Sequence, residues 1–301
     1  MTNNIENPAA PASMHWQSSG AVTEIEGTLQ QLCSLRTQVD KLGCKVKPAS
    51  RITIFEQHFA RFLKPGYHPP RDPDFDPTIL AHGCRDLFEL NFICEQLADS
   101  CRPDLVKVLP DLLSGAPVPS ADRNQNPRNL QFQYFLAAQL AHSGFTISLE
   151  EPDAVFVHEN SNLGIAAKRP VSPRQLVRRV REGVTQLERT HNTGFIAVSL
   201  DRLLKPSDPY LVAGGEPALD AAARDNLRNT LSQHTVPLKN AIADTAVTGI
   251  IFSLTLVGCV RVPWQPAHTT AMIWLARKDE LPYENELIRS VVNALKGPTD
   301  V

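Results

Sequence analysis

The stretch that most constrains this chain runs from Leu149 to Pro170, LEEPDAVFVHENSNLGIAAKRP. Two short apolar segments, Asp153–Val157 and Leu163–Ala167, flank the polar run His158–Asn162. That is the pattern of a β-hairpin with a short turn. Pairing the segments brings their outer ends side by side, so Asp153 and Lys168 meet at one edge of a sheet. For an arbitrary hairpin such a pair reads as a structural ion pair. Pro170 halts the second strand just where the lysine emerges. The flanking elements decide what the pair is for.

Asn129–Ser143 carries Phe132, Phe135, Leu136 and Leu140 at helical spacing and stops at Gly144. Phe145–Leu149 reads as a strand, and the hairpin follows. Ser172 and Pro173 then open a helix that reaches about His191. Gly194–Leu204 begins as a continuous apolar strand of the kind buried on both faces. Farther on come a helix from Pro217 to Ala243 interrupted near Pro237, strands Gly249–Cys259 and Thr269–Ala276, and a last helix Tyr283–Leu295. Strands alternating with helices predict an α/β (α+β) domain over residues 116–301, with three αβα layers around a central mixed sheet.

Ahead of it, residues 1–20 are rich in Asn, Ala, Pro and Ser and read as a disordered tail. Residues 21–115 read as an all-helical domain with helices over Val22–Leu42, Ser50–Leu63, Thr78–Ser100 and Pro103–Leu113. Ile25, Leu32 and Val39, with Leu35 and Leu42, also fit a short heptad seam. The first helix therefore either packs on those that follow or supports a homodimer. Asp72, Asp74 and Asp76 alternate with Pro and Phe and read as a solvated loop.

Composition narrows the function. A net charge of −2 in 301 residues is nearly neutral, so any nucleic-acid contact has to come from a local patch. The six cysteines show no CxxC spacing, which argues against a zinc site and a disulfide framework. No secretory leader pattern opens the chain. The longest apolar run, Val247–Val260, is too short for a bilayer span. The expectation is a cytoplasmic protein without membrane contact. One local basic patch does exist: Arg169, Arg174, Arg178, Arg179 and Arg181. Arg174, Arg178 and Arg181 fall at i, i+4 and i+7 and share a helix face. That face either meets phosphates or is an ordinary solvated one, partly neutralised by Glu182 and Glu188.

Three features together resemble the PD-(D/E)xK nuclease superfamily, which has the restriction-endonuclease-like fold. They are Pro152-Asp153, the run Gly164-Ile165-Ala166-Ala167-Lys168-Arg169-Pro170, and Gln186 in the next helix, with Phe132-Gln133 where related sequences carry Phe-Glu. The resemblance covers about Arg128–Leu204. It implies metal-dependent hydrolysis of phosphodiester bonds, DNA more than RNA, with Mg²⁺ or Mn²⁺ at the sheet edge. Carried over residue by residue, it makes Asp153 and the Ala167 carbonyl metal ligands, with Gln133 or Glu151 as further candidates. Asp153, Lys168 and Gln133 become the catalytic set, Gln186 and Glu182 supports, and Arg169, Arg174, Arg178 and Arg181 the nucleic-acid contacts. This chain departs from the pattern at Ala166, where the family has Asp or Glu two residues before the lysine. Two other readings follow from that departure. One is an inactive relative that binds nucleic acid or a partner protein; the other is an assembly protein using the fold as a scaffold.

Overall fold

The structure, a computed structural model, describes residues 15–22, 25–62, 76–190, 192–204, 211–261, 264–277 and 282–295. Among these, nine α-helices and eight strands form a mixed α/β architecture. The helical N-terminal region comprises α1 (Ile25–Lys41), α2 (Arg51–Phe62), α3 (Pro77–Leu97) and α4 (Arg102–Leu112), and α5 (Asn126–His142) follows a connecting segment. Pro77 occupies the first turn of α3, and the Asp76 side chain caps it by accepting from the Thr78 amide at 2.8 Å.

The next elements are β2 (Ile147–Ser148), β3 (Ala154–His158), β4 (Ser161–Lys168), α6 (Leu176–Arg189) and β5 (Thr193–Ser199). They are followed by β6 (Leu211–Ala213), α7 (Glu216–Leu231), α8 (Thr235–Ile242), β7 (Val247–Arg261), β8 (Trp264–Ala276) and α9 (Pro282–Ala294). The sheet runs β1-β8-β7-β5-β4-β3-β2, where β1 is His15–Val22. β5 is parallel to both β4 and β7, and the other pairs on this path are antiparallel. β6 lies beside the far half of β7.

Alternation along the central strands builds three layers. Ile165, Phe195, Ala197 and Ile251 join one apolar cluster with α1–α5 and α9. Their neighbours Ala166, Ile196, Val198, Ile250 and Phe252 join a second with α6, α7 and α8. A strand's successive side chains point to opposite faces, so central strands covered on both sides read as unbroken apolar runs. No described helix is long and apolar enough to cross a membrane.

Several expectations change. His15–Val22 is a strand rather than part of a disordered tail, because eight residues pair with the free edge of β8, from His15↔Trp274 to Val22↔Ala267. Residues 1–14 lie outside the described residues. The helices of 21–115 are not a separate domain. Leu80, Leu87 and Leu90 share one core with Phe156, Phe195 and Trp274. Most of the heptad seam packs within the chain. Leu32, Leu35, Val39 and Leu42 are buried against the following helices, so these four positions serve packing within the chain. The long helix after Pro217 breaks at residues 232–234, ahead of Pro237.

One buried carboxylate ties the helical layer together. Asp86 on α3, with no exposed surface, accepts from Arg51 of α2 at 3.0 Å, Arg85 at 2.9 Å, and Arg128 and Gln131 of α5. Arg128 also donates to Asp122 at 3.1 Å and to the Ala116 carbonyl at 3.0 Å, pinning the α4–α5 connection. Burial alone would raise the Asp86 carboxyl, but Arg128, Arg51 and Arg85 hold it far below the usual range. Burial pushes the Arg51 guanidinium down to about 10. Replacing Asp86 by Asn leaves buried guanidinium charge without its counterion and costs about 3–5 kcal/mol, read as a lower midpoint in denaturant. A carboxylate depressed on folding stabilises most above its unfolded value of 3.8 and loses that contribution as pH falls below it. Acid unfolding curves of D86N therefore fall less steeply there than those of the parent chain; parallel curves would refute the assignment.

Candidate functional site

The hairpin turn is tighter than its sequence suggested. His158 pairs with Ser161, leaving only Glu159 and Asn160 in the loop, with φ of 47° and 65°. Two consecutive left-handed residues make a turn whose twist matches that of the strands. The register places Ala154 opposite Ile165, so Asp153 comes level with Ala166. β4 then runs parallel to β5 from Leu163↔Thr193 to Lys168↔Val198. Gly194 faces Gly164 in this pairing, and a Cβ there would collide with the Gly164 carbonyl. Both strands thus end together, and a cleft opens beyond their carboxyl ends, where open α/β sheets bind ligands.

Lys168 and Asp153 do meet. The lysine Nζ lies 3.4 Å from Asp153 Oδ2, 3.1 Å from the Ala167 carbonyl oxygen and 2.5 Å from Gln186 Oε1. Asp153 Oδ2 also accepts from the Ala167 N–H at 2.7 Å. Gln133 reaches in from α5 and donates to the main-chain carbonyl of Asp153 at 2.9 Å. Gln186 braces the hairpin by donating to the Pro152 carbonyl and, at 2.8 Å, to Glu151. Burial raises the Asp153 carboxyl; Lys168 and the Ala167 N–H oppose it without cancelling it.

These residues do not fit a divalent cation. A Mg²⁺ or Mn²⁺ site needs several oxygens free to coordinate. Among the described residues, no group of three or more His, Cys, Asp or Glu is placed to hold a metal ion. Asp153 Oδ2 and the Ala167 carbonyl, the two ligands the resemblance implied, both accept from the lysine ammonium. Glu151 turns to Gln186 and Arg189, and Glu182 pairs with Arg178 at 3.2 Å and Arg179 at 2.7 Å. Ala166, where the family has an acid, is fully buried in the apolar cluster under α6. The ammonium stands among the oxygens that would otherwise surround a metal.

The cationic surface also differs from the one read in the sequence. The cleft, about 690 Å³, is lined by Asp153, Lys168, Arg179, Gln186, Arg189 and Arg202 among others. α6 buries Val180, Gly183, Val184 and Leu187, so Arg179, Glu182, Gln186 and Arg189 fall along its cleft-facing edge. Arg178 and Arg181 point to solvent instead, and Arg174 lies in the 3₁₀ turn Pro173–Gln175 before the helix. The i, i+4, i+7 spacing assumed one helix through Arg174 and did not pick out the face that meets the cleft. Arg169 turns inward: its side chain is 6% exposed and lies 4.0 Å from Asp201. Arg202, which the sequence reading missed, lies just after β5, and burial with nearby Arg179 lowers its guanidinium. Its position past the end of a parallel strand was the available signal.

Comparison with family models, with curated proteins and with solved structures gave no match to this chain. The site stands on its geometry. Replacing Lys168 by Met removes the ammonium that opposes burial at Asp153. The carboxyl titration midpoint, followed by carbon NMR, then moves further up, as expected for loss of an adjacent opposite charge. An unchanged midpoint would show that the two groups are uncoupled in solution.

Proposed function

We propose that this chain is a nuclease-fold protein that binds the phosphate backbone of nucleic acid without cutting it, in the cytoplasm. The observation that carries the reading is Lys168 Nζ held by Asp153, the Ala167 carbonyl and Gln186 at the mouth of an arginine-lined cleft. The helix–strand–strand–strand–helix–strand order of α5 to β5, with β2–β3–β4 antiparallel and β5 parallel to β4, supports the restriction-endonuclease-like fold. The ammonium, its donors directed at the Asp153, Ala167 and Gln186 oxygens, adds charge but no free donor to the arginines that attract phosphate. It cannot act as the Lewis acid that lowers the pKa of a bound water.

Phosphate oxygens would accept from Arg179, Arg189 and Arg202, with Lys168 set behind them. Arg189 and Arg179 already face Glu151 and Glu182, which keeps these side chains extended along the cleft. Such contacts position a backbone and read no bases. DNA is the favoured partner because the resembled enzymes act on it.

The second reading, metal-dependent hydrolysis, is favoured by one observation: Asp153 and Lys168 keep the family's spacing and do come together. The two readings part in one experiment. Duplex DNA binding should persist in EDTA and weaken with salt, with a log–log slope of about −3 if three phosphates are contacted. R202A and R179A should each weaken binding uniformly across sequences and flatten that slope by about 1. Plasmid should stay intact in Mg²⁺ or Mn²⁺. Metal-dependent nicking abolished in D153A and K168A would establish the hydrolase instead, and salt-insensitive or absent binding would rule out both.

A further inference from the structure

A second, inner cavity of about 80 Å³ lies between α3 and α5 on one side and β5, β7 and β8 on the other. Along it the sheet face changes chemistry. Ala197 gives way to Ser199 on β5, Ile251 to Ser253 and Thr255 on β7, and Met272 to Thr270 and His268 on β8. A sheet face packed under helices is ordinarily apolar, and polar groups there cost free energy unless hydrogen-bonded. Thr255 and Thr270 satisfy each other at 2.9 Å. Four other atoms, on residues that line the cavity, have no hydrogen-bond partner among the described residues: Ser199 Oγ, His268 Nδ1, Gln131 Oε1 and Arg169 Nε. Ser199, Gln131 and His268 are 1%, 2% and 8% exposed, and the Arg169 side chain 6%. Buried polar groups are nearly always paired, so four orphans around one void mark a place for something that pairs them.

Charge decides what that is. Asp201, 4.0 Å from Arg169, also lies 3.8 Å from Arg85, while its other oxygen accepts from the Thr255 amide at 2.8 Å. Arg128 is satisfied elsewhere, by Asp86 and Asp122. Glu89 lies 3.7 Å from Arg85, accepts from Gln131, and is raised by burial toward its neutral form. Burial also pushes His268 down to about 4, leaving it uncharged at neutral pH. The guanidinium of Arg169 is thus the under-compensated group, lowered to about 10 by burial with Arg85, Arg128 and Arg202 nearby.

We propose that this inner cavity binds a small oxyanion, a carboxylate or phosphate, whose oxygens accept from Arg169 Nε and Ser199 Oγ. Each water-sized sphere needs roughly 10–15 Å³, so the void has room for a ligand of about five to eight non-hydrogen atoms. That admits a short organic acid or phosphate and excludes a nucleotide. Phe88, Phe135 and Met272 line the same cavity and would face the apolar body of an organic acid.

The inference does not depend on the cleft binding nucleic acid. Titrate the full chain with inorganic phosphate, acetate or butyrate against chloride at matched ionic strength, following calorimetry and thermal stability. At least one should bind saturably and one-to-one at millimolar concentrations. S199A and Arg169→Gln should each lose about tenfold or more in affinity, as for a hydrogen bond to a charged group. R178A, altered on the solvent face of α6 away from both cavities, should bind the same ligand unchanged. Butyrate tighter than acetate identifies an organic acid; phosphate tighter than both identifies the inorganic ion. If Arg169→Gln does not fold, S199A carries the test, since it removes a single hydroxyl. No saturable binding of any of the three, or binding indifferent to S199A, means that the cavity holds only water and overturns the proposal.

Discussion

The Asp86 carboxylate is the interaction on which the helical layer depends. It lies on α3, which packs between the other helices and the sheet, and draws arginines from α2, α3 and α5 to one point. Burying so many charges carries a large desolvation cost, and mutual attraction offsets it only when further hydrogen bonds support it. Arg51 and Arg128 therefore also donate to main-chain carbonyls, of Leu112 and Ala116. These fix the α4–α5 connection, which in turn sets where α5 carries Gln133 and Gln131. The first holds the hairpin at Asp153; the second reaches toward the inner cavity. The geometry of both sites thus rests on one charge cluster, of which Arg85, Arg128 and Gln131 also line the inner cavity.

At the sheet edge a different economy holds. A divalent metal carries two charges, and one carboxylate offsets half of them. With Ala166 buried under α6, only Asp153 remains, and one carboxylate balances one ammonium. Lys168 provides that balance through its three donors, each directed at an oxygen: carboxylate, main-chain carbonyl and the Gln186 amide. The loss of the acid and the inward position of the lysine are therefore two aspects of one charge-neutral arrangement. What remains facing the cleft is cationic: Arg179, Arg189 and Arg202 against Glu182.

Much of this was legible in the sequence because it followed from strict periods. The hairpin, the alternation of helices and strands, and the Asp153–Lys168 meeting follow from apolar runs two and three-to-four residues in period. Partnership was what failed. His15–Val22 carries no strong apolar alternation and becomes a strand only because β8 offers an open edge. Leu211–Ala213 is too short to announce itself and depends on β7 in the same way. Which arginines reach the cleft depended on how α6 is rotated about its axis, set by Val180, Val184 and Leu187 rather than by the arginines. Asp86, Glu89, Arg128 and His268 gave no signal at all, since residues spread over 180 positions of sequence converge only once the sheet is built.

Arg169 joins the two halves of the molecule. It follows Lys168 directly, lines the outer cleft, and lines the inner cavity as well. With Asp201 4.0 Å away and shared with Arg85, much of its charge is uncompensated and contributes to the potential on both sides. An anion held inside would neutralise Arg169 at short range through a low-dielectric wall, where screening by salt is weak. The cleft would then present less positive potential to a phosphate backbone. Linkage makes the effect reciprocal: a backbone bound in the cleft would weaken the inner anion by the same factor. Were both anions to bind, Arg169 would couple them negatively, with one guanidinium as the shared term and no conformational change required.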